Sequence, residues 1–472
     1  PFDTARMRLS IVQQTPLGPV LYSKGAPETL LPLCTGILVN GEVKIFSAEA
    51  RQNVLQAQLA MAEKGLRVLA FAYKPVGDIL LENLEENGLI FCGLTGLDDP
   101  PRPEVPRAIQ QCHEAGIRII MITGDHPRTA VAIAKKIGLV RSDQPLVITG
   151  EQLRVYSDAQ LRLALDAEEI VFARVAAEQK MLIVQALKDK KHIVAVTGDG
   201  VNDAPALKAA HIGIAMGLSG TDVARSAADM ILLDDNFASI VNGIEEGRAV
   251  FANIRKFLTY ILAHNVPELI PYLVFVLFRV PLALTPIQIL AIDMGADSLT
   301  AVGLGTEAPD PATMKQPPRP LGERLMSPLV ALRAYAFLGL LEAVAAMAAF
   351  FFVLLRGGWQ YGEQLAANHA LYIQATTACF AAIIIMQIVN VYLCRSARRS
   401  LFAIGLTGNR LIIWGVLLEI SVLLFACYTP LGNKLIGTSP LALEVWLFVV
   451  PFALLMLVLE ELRKWWARKL PR

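Results

Sequence analysis

The 472 residues predict a multi-domain chain, a soluble α/β half followed by an all-α half of six bilayer-crossing helices. Three observations predict this. Hydrophobic residues make up 54% and charged residues only 18%, against about 25% charged in an average soluble protein. The apolar excess is concentrated after about residue 250. Before that point, short apolar runs alternate with amphipathic stretches, the rhythm of a parallel sheet covered by helices.

Those runs are 117–122, 146–148, 170–172, 193–196, 212–215 and 230–233, with helical patterns at 129–137 and 179–187 between them. Several end in Gly or Asp, and ligands of open α/β sheets sit at such carboxyl ends of strands. From 257 onward the predicted spans are 257–279, 284–304, 329–355, 371–394, 411–429 and 441–460. Each approaches the ~20 residues that a helix needs to cross a bilayer. Arg255 and Lys256 precede the first span, Lys315, Arg319 and Arg324 follow the second, and Arg395, Arg398, Arg399 and Arg410 follow the fourth. The alternate loops carry only Arg279, Arg356 and Lys434. This asymmetry predicts a cytoplasmic soluble half and a cytoplasmic C-terminus.

The 43 Lys and Arg nearly balance 42 Asp and Glu, so a basic footprint for nucleic acid is absent. Six scattered Cys with no C-x-x-C pair suggest neither a disulfide framework nor a thiolate metal site.

The strongest chemical signal is Thr197-Gly198-Asp199-Gly200-Val201-Asn202-Asp203-Ala204-Pro205. Two carboxylates four apart after a strand, with glycines that let backbone come close, make a hard-oxygen site suited to Mg²⁺. Thr123-Gly124-Asp125-His126 also follows a strand and opens a helix, where a hydroxyl and free amides can hold a phosphoryl oxygen. Taken alone it reads as a helix N-cap. Lys180, at the start of the helix after Phe172-Ala173-Arg174, could offset charge on a transferring phosphoryl group; taken alone it reads as a surface lysine.

Together these strings resemble the haloacid-dehalogenase-like phosphorylation domain of P-type ATPases. Lys24-Gly25-Ala26-Pro27-Glu28 resembles that family's nucleotide-domain signature, and Asp99-Pro100-Pro101-Arg102 resembles its hinge. The resemblance implies part of an α+β nucleotide-binding domain at 1–95, a phosphorylation domain at 96–250 and a membrane domain at 251–472. It implies Mg²⁺ at Asp199 and Asp203, and phosphoryl contacts from Thr123, Gly124, Asp125, Lys180 and Asn202. It implies ATP contacts from Phe2, Lys24, Gly25, Arg67 and Arg174. The family's Asp-Lys-Thr-Gly-Thr and Thr-Gly-Glu-Ser strings and its fourth membrane helix do not occur. The expectation is therefore a C-terminal portion, inactive alone because the acceptor carboxylate lies upstream.

Ionisable residues inside spans mark a pathway by default. Asn265 and Glu268 share a face of the first span, and Pro267 frees the carbonyl of Ala263. Asp293 and Asp297 share a face of the second span, with Gly295 between them allowing close approach or local unwinding. Three carboxylates and an amide on adjacent helices form a hard-oxygen cage for a transported cation. Gln387 and Asn390 could add oxygens or bond helix to helix. Glu342 and Glu419 carry no assignment, and His264 reads as a packing partner. Six spans and no thiolate motif resemble the calcium, sodium/potassium and proton/potassium pump group. The expected function is ATP-driven transport at the cell membrane with Ca²⁺ as the ion; the alternatives are Na⁺/K⁺ or H⁺, or a membrane-anchored phosphatase. Accessory subunits leave no readable signal.

Overall fold

The structure, a computed structural model, describes residues 6–77, 85–98 and 100–469. Phe2 and Asp99 lie outside the described residues. The chain divides into two compact units, residues 1–242 with 314–317 and residues 243–313 with 318–472.

The first unit opens with a six-stranded sheet. Its strands are β1 (Arg8–Thr15), β2 (Gly18–Gly25), β3 (Cys34–Val39), β4 (Glu42–Ile45), β5 (Arg67–Pro75) and β6 (Leu89–Leu97). They run in the order β1-β2-β5-β6-β3-β4, with β3 and β6 the one parallel pair. One face is closed by Leu21, Leu30, Ala70, Ala72 and Leu89, all nearly or fully buried, and Phe46 stacks on Phe91 at 5.5 Å. Burying one such side chain contributes roughly 1.5–3 kcal/mol. The helix Ala48–Glu63 starts where Ser47 accepts from the Ala50 amide, meeting one of the donors a helix N-terminus leaves open.

The rest of the unit is parallel α/β, with β7 (Met121–Ile122), β8 (Leu146–Thr149), β9 (Ile170–Ala173), β10 (Ala195–Gly198), β11 (Ile212–Met216) and β12 (Met230–Leu232). The sequence rhythm predicts one parallel sheet. The structure instead holds two, β7-β9-β8 and β10-β11-β12, because β7 and β10 do not pair with each other. Of the predicted strand 117–122 only Met121–Ile122 pairs. β9 is buried along its whole length, as a central strand covered on both faces should be.

Among the described residues, six helices are long and apolar enough to cross a membrane: Phe237–Leu277, Pro286–Gly305, Pro328–Arg356, Ala370–Cys394, Arg410–Tyr428 and Leu443–Lys469, numbered here as spans 1 to 6. All six predicted segments are present. Span 1 begins twenty residues earlier than its apolar stretch, and span 6 continues past its own to Lys469. Span 4 is the centre of its unit, with 78% of its most apolar window buried. Spans 2 and 5 pack through small residues. A Cβ on Gly415 would lie 2.5 Å from Thr300 Cγ2, and one on Gly303 would lie 2.8 Å from Ile412 Cγ1. Close approach of this kind replaces the hydrophobic effect where lipid is the solvent. Span 2 turns π-helical over Ala291–Asp297 and span 3 over Leu332–Gly339. Such widened turns recur at functional sites.

Candidate functional site

In the first unit, β7 delivers Thr123, Gly124 and Asp125. The Thr123 amide donates to Phe172 O at 2.9 Å, which ties the loop to the end of β9. Thr123 Oγ1 donates to Asp125 Oδ2 at 3.1 Å and accepts from the Asp125 amide at 3.1 Å. Asp125 is thus not the cap of the following helix; His126 Nδ1 accepts from the Arg128 amide instead.

The second motif folds around one carboxylate. Asp203 Oδ2 accepts from the amides of Asp199 at 3.3 Å and Gly200 at 3.1 Å. Its Oδ1 accepts from Lys180 Nζ at 2.5 Å. Gly198 is required here, since a Cβ would stand 2.4 Å from Asp203 Cβ. Lys180 is therefore no free surface lysine. It sits on the helix Ala177–Asp189, which leaves the end of β9, where the Val175 amide donates to Thr123 O, and reaches across to Asp203. One helix links the two motifs. Asp199 and Asn202 are exposed on the same turn. A hard cation such as Mg²⁺ fits the Asp199 carboxylate, while the Asp203 carboxylate is engaged with Lys180 and the turn amides.

The predicted nucleotide residues lie mostly on the open face of the six-stranded sheet. Lys24 is exposed on β2 and pairs across with Phe71 of β5. Arg67, four residues before Phe71 on the same strand, shares that face. Phe71 is 36% exposed there, an apolar ring beside two cations that sequence reasoning did not single out. Gly25 is fixed by β1, because a Cβ would lie 2.6 Å from Arg8 Cβ.

Arg174 lies apart from Lys24 in the chain but turns toward the same part of the unit. Its φ is 56°, uncommon for a residue with a side chain. Its Nη2 is 3.1 Å from Glu28 Oε2, and Gln58 Nε2 donates to Glu28 Oε1 at 2.7 Å. Burial alone would raise the Glu28 carboxyl, but its own backbone amide, Arg174, Gln58 and His126 together hold it below the ordinary value.

In the second unit the intramembrane carboxylates converge. His264 Nε2 is 3.1 Å from Glu268 Oε1, 3.2 Å from Asp293 Oδ1 and 3.2 Å from Asp297 Oδ2. Residues from spans 1 and 2 thus surround a single atom. Tyr260 donates to Asp297 Oδ1 at 2.9 Å. Thr300 donates to Glu419 Oε1 at 2.7 Å, which brings in span 5. Asn390 donates to Glu342 Oε1 at 2.7 Å, joining spans 3 and 4. Gln387 contacts the far ring nitrogen of His264.

The structure refines three expectations. His264 is a hydrogen-bond partner, as expected, but it lies inside the cluster and not beside it, bonded to Asp293 and Gln387. Asn265, one residue on, points away and is exposed, because adjacent helical residues are about 100° apart. Gly295 does not serve close approach, since a Cβ there would meet only Val422 Cγ1 at 3.8 Å; its segment is π-helical, the local unwinding that was the other expectation. Close approach falls to Gly339 of span 3, where a Cβ would lie 2.6 Å from Ala263 O, the carbonyl freed by Pro267. Glu342 and Glu419, both fully buried, join the polar centre. Their mid-span charge was the only sequence signal for either.

Residues 281–466 match the family "Cation transporting ATPase, C-terminus", and residues 1–104 match "P-type ATPase, cytoplasmic domain N". The chain is 35% identical to the sodium/potassium-transporting ATPase subunit alpha-4 of Rattus norvegicus, over 100% of this chain and 52% of the relative. It is 37% identical to the sodium/potassium-transporting ATPase subunit alpha of Hydra vulgaris, and 36% identical to subunit alpha-2 of Gallus gallus, with the same coverage. The chain spans about half the length of the curated relatives it matches.

Proposed function

Because the chain belongs to the cation-transporting P-type ATPases, we propose that it is the motor and ion-pathway portion of an ATP-driven cation pump. The observation that carries this reading is the convergence of Glu268, Asp293 and Asp297 on one point among apolar helices. Carboxylates in lipid are costly unless they meet a cation. The expectation of Ca²⁺ gives way to its alternative: the matched relatives are sodium/potassium pumps, so monovalent Na⁺ and K⁺ are the proposed cargo.

The soluble unit carries the phosphoryl chemistry in this reading, with residues 1–95 holding nucleotide and 96–250 forming the phosphorylation domain. ATP is held by the Lys24 and Arg67 face, with Phe71 offering its ring to the base. β7 and β10 are each the end strand of their sheet, and each carries a motif at its carboxyl end. A strand bearing the acceptor aspartate and pairing between them would place that carboxylate among Thr123, Lys180 and Asp199. Mg²⁺ supplies the positive charge that offsets the phosphates when bound at Asp199. Lys180 stabilises the phosphoryl charge, Thr123 and the Gly124 amide orient it, and Asn202 lies on the same exposed turn.

Coupling requires that phosphorylation change the affinity of the intramembrane site. Span 1 is one continuous helix from Phe237, at the end of the phosphorylation domain, to the turn of His264 and Glu268. It supplies the mechanical link. In this reading the soluble unit and the C-terminus face the cytoplasm, which the Lys and Arg asymmetry of the loops supports. The test is ATP hydrolysis by the full-length protein with Na⁺ and K⁺, and with Ca²⁺ in parallel. Stimulation by the monovalent ions, lost in Asp297→Asn, is expected. Full activity in Asp297→Asn would remove the ion-site assignment, and stimulation by Ca²⁺ alone would restore the first expectation for the ion.

A further inference from the structure

We propose that Glu28 is an internal competitor for nucleotide: its carboxylate takes the Arg174 guanidinium that a phosphate of ATP would otherwise engage, and so sets how tightly ATP binds. The proposal rests on the reading of Arg174 as a nucleotide contact and adds the group that opposes it.

The pair joins two parts of the first unit. Glu28 sits on the short helix Pro27–Leu30, which follows β2 and Lys24 in the six-stranded part. Arg174 follows β9 in the parallel α/β part. Its main chain is fixed to the Thr123 loop: the Arg174 amide donates to Asp125 O at 3.1 Å, and the Val175 amide donates to Thr123 O at 3.1 Å. With its backbone so held, Arg174 sends its guanidinium to the other part. There Nη2 lies 3.1 Å from Glu28 Oε2, and Nη1 donates to Met7 Sδ at 2.8 Å.

Glu28 is aimed as firmly. The buried Gln58 donates to its Oε1 at 2.7 Å, which leaves Oε2 to Arg174. His126 Nε2 stands 3.7 Å from Oε1. A carboxylate and a phosphate present the same pair of acceptor oxygens to a guanidinium, and one N–H group cannot serve both at full strength. The other partner of Arg174, the Met7 thioether, is only a weak acceptor. Glu28 is therefore the strong anion on Arg174, and a phosphate that engages this guanidinium must displace it. A second ion pair crosses between the same two parts: Glu63 meets Arg128 at 2.5 Å. Next to it Thr129 donates to Leu66 O at 3.3 Å. Glu63 holds the parts together through Arg128 and not through Arg174, so it separates competition from mere closure.

The experiment is equilibrium binding of radioactive ATP to the full-length protein, without Mg²⁺ so that no turnover occurs. Glu28→Gln keeps the size of the side chain and removes its charge. Partly exposed ion pairs are of modest strength, so this variant should bind ATP about threefold to fivefold more tightly. Arg174→Ala should bind ATP more weakly, and adding Glu28→Gln to it should change nothing further, because the two effects act through one contact. Glu63→Gln should bind ATP as wild type does. Wild-type or weaker binding by Glu28→Gln would overturn the proposal, the weaker result making Glu28 a ligand of ATP and not its rival. Equal tightening by Glu63→Gln would also overturn it, since loosening the two parts would then be the cause. So would a tightening by Glu28→Gln that persists in the Arg174→Ala protein. Wild-type binding by Arg174→Ala itself is the distinct result that removes the underlying reading of Arg174 as a nucleotide contact.

Discussion

Gly339→Ala should loosen the proposed ion site without touching a single polar residue. The added Cβ would stand 2.6 Å from Ala263 O and 2.6 Å from Val266 Cγ2. Ordinary contact begins near 3.4 Å, so spans 1 and 3 must separate by roughly 0.8 Å, the shortfall between those two distances. A backbone carbonyl cannot swing aside as a side-chain tip can. Overpacking of this kind costs about 1–3 kcal/mol. The strain falls between the residue preceding His264 and the turn preceding Glu342, so the cluster loses registration as well as stability. A site a fraction of an ångström too loose loses much of its function, and about a tenfold rise in the half-saturating cation concentration is expected. The assay is cation-stimulated ATP hydrolysis by the full-length protein, with thermal inactivation measured on the same preparation. Gly295→Ala is the comparator. It lies between Asp293 and Asp297, yet its Cβ would meet only Val422 Cγ1 at 3.8 Å, so its cation affinity should stay near wild type. A silent Gly339→Ala beside a damaged Gly295→Ala would refute the packing argument.

Three further outcomes follow from the same geometry. Lys180→Ala leaves the buried Asp203 carboxylate without its ammonium partner; phosphoenzyme formation from ATP should fall at least about 100-fold, and an unchanged rate would end the role given to Lys180. Glu460→Ala strips a fully buried carboxylate from Arg333 at 2.7 Å and Arg463 at 2.6 Å, which should cost about 3–5 kcal/mol. Glu444→Ala, which breaks the exposed pair with Arg356, should cost about 0–1 kcal/mol; thermal midpoints of the two variants compare them directly. The third outcome concerns pH. Glu28 is held below its ordinary value of 4.5 in the folded protein. Its contacts with Arg174 and Gln58 therefore stabilise fully above that ordinary value and fade as pH falls through the lowered one. Thermal midpoints measured against pH should show Glu28→Gln losing part of the wild-type acid dependence, and identical curves would remove Glu28 as its source.

Much of the architecture is legible in the chain because the signals are local. A span is a sum of apolar neighbours, and all six were placed within a few residues wherever apolar character itself ends the helix. The exceptions are the amphipathic start of span 1 and the charged end of span 6, where helix continues past the hydrophobic stretch. The string from Thr197 to Pro205 is legible for the same reason, since its glycines and aspartates act on one another within a single turn. The pairing of strands is less so. Whether β7 and β10 share a sheet depends on what lies between them, and no periodicity within either strand encodes that.

What the sequence by itself determined is the inventory: intramembrane acids on four spans, a motif of glycines and aspartates after a strand, and an α/β half joined to six apolar helices. Tertiary structure alone decided which side chains meet. His264 reaches Asp293 across 29 residues and Gln387 across 123, and Glu342 meets Asn390 across 48. The face a helical residue presents is set by its own helix, but what stands opposite is set by how distant helices pack. Glycines such as Gly339 govern that packing by what they omit, and omission leaves no trace in spacing or charge.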